Sequence, residues 1–221
     1  EVLGRLLSEE EIYAKIQEKI IMYGLPEIEI IFRDDMTARI SVTTWKFARI
    51  NLKKWLKMYE KELDAVLAHE IGVHVRRFIN GMKSGLRILK HGTAFYLEDE
   101  EGLAIYNSLR YLPDTYEKNV MYIKYYLVSQ AYNYSFSTLW KTITEIYPEK
   151  DLTQIFFDCL RLKKWIENTA LFAEKWLSYD KDKIYLNGYM KVKKWVEEGG
   201  YIENLMVGKI KIQDIENFTD S

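Results

Sequence analysis

The sequence predicts an α+β chain: a small, mostly antiparallel sheet packed on a histidine-bearing helix, followed by a helical C-terminal half. Three observations carry that expectation. Between residues 27 and 52, apolar residues alternate or cluster as they do in strands, in Ile28-Glu-Ile-Ile-Phe32, Ala38-Arg-Ile40-Ser-Val42 and Phe47-Ala-Arg-Ile50-Asn-Leu52. Residues 63 to 81 form an apolar run of helical character that carries His69, Glu70 and His74. From residue 100 onward the start and stop signals are those of successive helices, with no fixed internal repeat.

The elements follow in order. Ser8-Glu-Glu-Glu11 is a capping box before the periodic run Ile12, Ile16, Ile20, Ile21, and Gly24 with Pro26 supplies the stop, so a first helix is expected over about 9 to 23. About three strands come next, and residues 38 to 44 are the candidate edge strand on which an extended peptide could pair by its main chain. After the histidine-bearing helix, residues 80 to 96 are expected as a loop or broken helix containing Gly81, Gly85 and Gly92. Residues 97 to 108 read as the start of a helix, with Glu98, Asp99, Glu100 and Glu101 near its beginning, where the helix dipole favours acidic groups. Pro113 closes it, Asp114-Thr-Tyr-Glu117 opens a helix over about 115 to 133, and Asp151 can cap another over about 152 to 167. Further helices fit 169 to 178, 183 to 197 and 211 to 217. The 221 residues are expected to form a single catalytic domain, with the sheet and histidine-bearing helix in about 1 to 110 and a helical layer in about 111 to 221.

Composition narrows the classes of function. Lys and Arg total 32 against 33 Asp and Glu, a net charge of −1, so no global basic surface argues for nucleic acid or an anionic membrane. The 17 Tyr and 6 Trp recur near helical spacing, which means core packing more often than a base-stacking platform. No apolar run reaches the length that spans a bilayer, and no signal-peptide pattern is present. The single Cys159 excludes an intramolecular disulfide. These features lead to the expectation of a cytoplasmic protein with no membrane and no nucleic-acid partner.

The chemistry is concentrated in His69-Glu70-Ile-Gly72-Val-His74. The whole chain has only three histidines, and two of them fall five residues apart with a glutamate directly after the first. Neutral imidazole is a common zinc ligand, and a glutamate beside a bound water is the usual base of a metal hydrolase. At a spacing of five, a regular α-helix would turn the second imidazole about 140° from the first, too far for shared ligation. A π-type bulge absorbs one residue and restores a common face, and Gly72 is a tolerant place for it. Catalytic zinc needs a third protein ligand. Glu101 shares a helical face with Leu97, Ala104 and Ile105, so it is expected to point inward, where a carboxylate requires a partner. Glu98 and Asp99 are read as capping acids, and Gly102 would let this helix approach another closely.

These motifs resemble a known family. His69-Glu70-Ile-Gly-Val-His74, then Asn80-Gly81, then Glu100-Glu101-Gly102-Leu103-Ala104 are similar to the H-E-x-x-x-H and (Q/E)-E-G-L-A motifs of the microtubule-associated tyrosine carboxypeptidases and their bacterial relatives. The similarity continues weakly at Tyr185-Leu-Asn-Gly188 and Leu205-Met-Val-Gly208-Lys209-Ile210. The resemblance implies a zincin-like fold, one zinc ion per chain held by His69, His74 and Glu101, and Glu70 as the catalytic base. It also implies a carboxypeptidase-like zinc metallopeptidase that takes a peptide or protein C-terminal tail.

An enzyme of that kind needs a cation for the substrate's free carboxylate and a donor for the developing oxyanion. Arg161 and Lys163, in the basic run Arg161-Leu-Lys163-Lys164, are the candidate cations, although Trp165 stands where the family has a glycine. Tyr185 is a candidate substrate contact and donor, and Tyr106 and His91 are candidate oxyanion donors. Two other functions stay open. One is a binding or regulatory protein with a structural metal, which would need a fourth ligand and no base. The other is another metal-dependent hydrolase or, since two histidines and a carboxylate also form that triad, a non-haem iron enzyme.

Overall fold

The protein was analysed as a computed structural model, which describes residues 3–36, 38–113, 116–131, 133–163 and 181–219. They fall into two compact units, one made of residues 1–117 and 187–221, the other of residues 118–186.

In the first unit, strand β1 (Leu6–Leu7) pairs antiparallel with β5 (Met58–Tyr59). Helix α1 (Glu9–Met22) follows, with both halves of the Ser8–Glu11 capping box formed and Ile12, Ile16 and Ile20 buried at helical spacing. Strands β2 (Glu29–Arg33), β3 (Ile40–Thr44) and β4 (Ala48–Lys53) form a second sheet in the order β2-β4-β3. This sheet is mixed. β4 pairs antiparallel with β3 and parallel with β2, so the expected antiparallel character holds for one of its two pairings. Alternation of apolar residues reports which face is buried, and it carries no information on strand direction. β3 is an edge strand, as expected for residues 38 to 44.

The histidine-bearing helix is one unbroken run of helical backbone in three parts: α2 (Glu60–His69), a π-helical segment (Glu70–Val75) and α3 (Arg76–Lys83). Leu63, Leu67, Ile71, Val75, Phe78 and Ile79 recur along it and bury against α1 and the sheet, in a core that also holds Ile50, Leu52 and Met58. The broken-helix alternative for residues 80 to 96 is realised as α4 (Arg87–His91). Helix α5 (Tyr96–Ser108) carries the acidic motif.

Residues 187–221 complete this unit. The second half of α9 (Lys181–Glu197) meets α5 through two glycines: a Cβ on Gly102 would lie 2.1 Å from the Gly188 carbonyl carbon, and one on Gly188 would lie 2.0 Å from the Glu98 carbonyl oxygen. Only glycine at both positions permits that approach. Two 3-10 turns (Ile202–Val207 and Ile212–Asp214) and the short α10 (Glu216–Thr219) follow, and Leu205, Met206, Ile210 and Ile215 bury with Val73, Leu89, Leu103 and Ala104 in a second core.

The second unit packs α6 (Tyr116–Gln130), α7 (Phe136–Ile146) and α8 (Leu152–Lys163) around Leu127, Leu139, Ile143, Ile155 and Cys159. Its helices agree in place with the periodic runs of the sequence. Asp114 and Thr115 of the expected box and the expected helix over 169 to 178 lie outside the described residues. Among the described residues no helix is long and apolar enough to cross a membrane.

Candidate metal centre

The site is built where the histidine-bearing helix faces α5. Over Glu70–Val75 the helix widens, with the Arg76 N–H bonded back to the Ile71 carbonyl, an i to i+5 pattern. The spacing of five residues requires this, and it turns the two imidazoles toward each other, their ring centroids 5.0 Å apart. Glu101 enters from α5. Its Oε2 lies 3.6 Å from Nε2 of His69 and 3.6 Å from Nε2 of His74. One donor atom from each of these three residues lies within 4.8 Å of the other two. A tetrahedral zinc ion with bonds of about 2.0 to 2.1 Å holds its donors roughly 3.3 Å apart, so a small inward shift would close the triangle on such an ion. Two imidazoles and a carboxylate are also the donor set that zinc prefers in open sites.

The layer behind the triangle was not anticipated. Glu100, next to Glu101, is 2% exposed and accepts a 2.9 Å hydrogen bond from Nδ1 of His74. Nζ of Lys209 lies 3.6 Å from that same oxygen, and the other oxygen accepts from Nη1 of Arg77 at 3.1 Å. Arg77 is fully buried and also donates from Nε to the main-chain carbonyl of Gly208, at 2.8 Å, and from Nη2 to that of Ile210. Lys209 donates to the Thr44 hydroxyl at 3.0 Å, which ties the C-terminal segment to the end of β3. Asn80 donates to the Met206 carbonyl at 2.7 Å. The motif residues Asn80 and Gly208–Ile210 thus hold the back of the site. A buried carboxylate that fixes the second ring nitrogen of a ligating histidine is a recurrent support in metal sites.

Asp99 also departs from the capping role expected of it. It is fully buried, and it accepts from the Lys191 ammonium and from the Ile212 N–H at 2.7 Å, so it anchors α9 and the C-terminal turns to α5. Asp99, Glu100 and Glu101 therefore face three different surroundings within one helical turn.

Charge is distributed unevenly among the site groups. Burial, with His74 as its neighbour, pushes His69 down to about 3. Burial also works against a charged His74, but its hydrogen bonds to Glu100 and Glu101 outweigh that and raise it to about 10. Burial opposes the charge on Glu100 as well, yet Arg77, His74 and Lys209 hold it at about 2. Glu70 points away from this support. Burial raises it to about 7, with the charge of Glu101 adding to the rise, while His74 and a hydrogen bond from the Val42 N–H on β3 act against it. Glu70 thus stands between the histidine pair and the edge strand.

The other candidate residues lie in different surroundings. His91, at the end of α4, packs its ring edge against Trp45 at 5.4 Å. Tyr106 is five residues past Glu101 on α5 and packs against Tyr189 and the Arg110 guanidinium. In the second unit, Lys163 donates to the Ala131 carbonyl at 2.7 Å, satisfying the end of α6. Arg161 is exposed on α8, and Tyr185 is half-buried on α9. The signal that would have revealed Glu100 and Arg77 is an Arg on the apolar face of a helix, three residues after a candidate ligand, where only a buried carboxylate can balance it.

Residues 4–109 match the model of the family described as microtubule-associated tyrosine carboxypeptidase, a span that includes His69, Glu70, His74, Glu100 and Glu101. Mouse MATCAP2, named provisionally as a tyrosine carboxypeptidase, is 26% identical over 223 residues, covering 98% of this chain and 41% of its own length. Human MATCAP2 is 26% identical over 196 residues, covering 87% of this chain and 36% of its own length. The microtubule-associated tyrosine carboxypeptidase 1 of rat is 24% identical over 158 residues, covering 70% and 32%. The chain therefore spans about two fifths or less of the length of these curated relatives. In its motifs, in the match over residues 4–109 and in these relatives, the chain is similar to the microtubule-associated tyrosine carboxypeptidase family.

Proposed function

We propose that the chain is a zinc-dependent, carboxypeptidase-like peptidase acting on a peptide or protein C-terminal tail, with residues 1–221 working as one catalytic domain. The observation that carries this is the convergence of His69, His74 and Glu101, with Glu70 beside them and held by the edge strand. The relatives named as tyrosine carboxypeptidases support the class of reaction. His69, His74 and Glu101 would hold the ion. When bound, zinc supplies a Lewis acid that polarises the scissile carbonyl and acidifies a water molecule.

The chain's own residues do the rest. Glu70, held near 7 by burial, takes the proton of the attacking water on its carboxylate and delivers it to the leaving amine nitrogen. The Val42 N–H fixes one side of that carboxylate. Glu100 keeps the His74 ring oriented through Nδ1, so that Nε2 faces Glu101 and the shared centre. Arg77 and Lys209 keep Glu100 charged and therefore an acceptor. β3 offers its open edge beside the π segment, where an extended tail could be aligned by main-chain pairing.

The test is metal analysis of the purified chain together with a panel of peptides that differ only in their C-terminal residue, read by mass spectrometry. One zinc per chain and loss of a single terminal residue are expected. A chain that takes up zinc at His69, His74 and Glu101 yet cleaves no peptide in the panel, terminally or internally, would overturn the peptidase reading.

A further inference from the structure

The first unit contains a second polar site, lined in part by Ala68 and Arg76 of the histidine-bearing helix. A cavity of about 450 Å³ opens between the end of α1, α3, the end of α5 and the segment after α9. Its lining shares no residue with the cluster of His69, His74 and Glu101. Arg76 and Arg110 bring two guanidinium groups to the lining, against one carboxylate, Glu203. Arg76 is paired with Glu203 at 3.1 Å and stacks over the Tyr23 ring at 4.9 Å. Arg110 has no ion pair among the described residues, and its guanidinium rests over the Tyr106 ring. The lining therefore keeps one positive charge in excess.

Neutral donors gather at the same place. The Tyr23 hydroxyl and the Asn107 amide nitrogen lie 3.1 and 3.7 Å from the point where a Gly72 Cβ would stand, so both look over the back of the π segment. Neither side chain has a hydrogen-bond partner among the described residues. Burial raises the Tyr23 hydroxyl, with Tyr111 and Arg76 among the groups close enough to act on it, so it stays protonated and able to donate. The Tyr23 and Tyr111 rings add flat apolar surface. A partly enclosed pocket with a few convergent donors and an unspent positive charge is the usual setting of a small-ligand site.

We propose that this pocket binds a small organic monoanion, a carboxylate on a flat, ring-sized body. The carboxylate accepts from Arg110, the Tyr23 hydroxyl and the Asn107 amide, and the body lies against the tyrosine rings. Guanidinium suits a carboxylate because it offers two parallel donors. The proposal is independent of the peptidase reading, because the pocket and the histidine cluster have no residue in common.

Calorimetric titration of the full chain with benzoate, benzamide and inorganic phosphate tests it. Benzoate is expected to saturate one site per chain. Benzamide lacks the charge and phosphate lacks the ring, and each should bind about tenfold more weakly or worse, the worth of one charge-assisted contact. Arg110→Gln, at an exposed position, and Tyr23→Phe, which keeps the ring, should each weaken benzoate by a similar factor and leave the metal content unchanged. Absence of saturable benzoate binding would overturn the proposal. So would equal benzoate affinity in the wild type and Arg110→Gln, which would place the anion elsewhere, including at the metal. Phosphate binding as tight as benzoate would overturn the flat-bodied ligand.

Discussion

Glu100 and Glu101 are the same residue, adjacent on one helix, and both turn inward, yet they stand in different regions of the molecule. Glu101 faces the open triangle with His69 and His74, and its neighbours are groups that a cation would draw together. Glu100 faces a closed layer in which Arg77, Lys209 and His74 satisfy its oxygens. The first region offers three donor atoms that a cation could share, and the second satisfies its buried charge from the chain itself. A front of exchangeable donors thus rests on a back that the fold itself neutralises, so changes in front should act on chemistry and changes behind should act on folding as well.

The sharpest separation is expected at Glu70. Glu70→Gln keeps the size of the side chain and most of its hydrogen bonding, so zinc content and melting temperature should stay near the wild type. Turnover should fall by about 10² to 10⁴, the usual worth of a general base. Near-normal turnover in that variant would remove the hydrolytic role, and loss of zinc would make Glu70 a ligand instead. In the back layer, Arg77→Met removes the main partner of a buried carboxylate. It should cost about 3 to 5 kcal/mol of stability by urea unfolding, because the charge left behind has no water to solvate it. A loss below about 1 kcal/mol, the level of an exposed pair, would show that the layer is not closed in solution.

The boundary between the regions is His74, and Glu100→Gln tests it. The amide can still face the ring but loses its charge, so zinc affinity should fall about 10- to 100-fold in a competition assay with a chelator, while all three proposed ligands remain. An unchanged affinity would mean that His74 needs no orientation from behind. At the far end of the scale, Ser8→Ala removes the N-cap of α1, far along the chain from either region. It should cost about 1 kcal/mol and leave zinc affinity untouched. If it altered zinc affinity, the assumed independence of site and scaffold would fail.

The same contrast explains what the sequence made legible. The π segment could be read because five residues between two ligands leave a regular helix no way to face both inward, and the widening falls over Glu70–Val75. Glu101 could be read from the apolar face it shares with Ala104 and Ile105, both buried, although Leu97, expected on the same face, is exposed at the start of the helix, and the close approach through Gly102 followed from the missing side chain. Glu100 and Asp99 could not be read in this way. Acids in a first turn are ordinarily dipole partners, and their true partners, Arg77, Lys191, Lys209 and the Ile212 N–H, come from distant parts of the chain. The parallel pairing of β2 with β4 stayed hidden because a run of apolar residues looks the same in either direction. The basic run at Arg161–Lys164 suggested a carboxylate site, whereas Lys163 is engaged by the Ala131 carbonyl, a contact that no local pattern announces.

The way the Gly208 and Ile210 carbonyls grip Arg77 has a consequence for synthesis. The chain emerges N-terminus first, so His69, His74 and Glu101 leave the ribosome long before the residues that hold their support in place. At about 5 to 20 residues per second, the stretch from Glu101 to Gly208 takes roughly 5 to 20 s to make. During that interval Arg77 has neither carbonyl acceptor, and the Asp99 anchor lacks both Lys191 and Ile212. A nascent chain therefore passes through a stage in which the proposed ligands exist as sequence but not yet as a preorganised centre, and competence waits for residues 191 to 212 to be made.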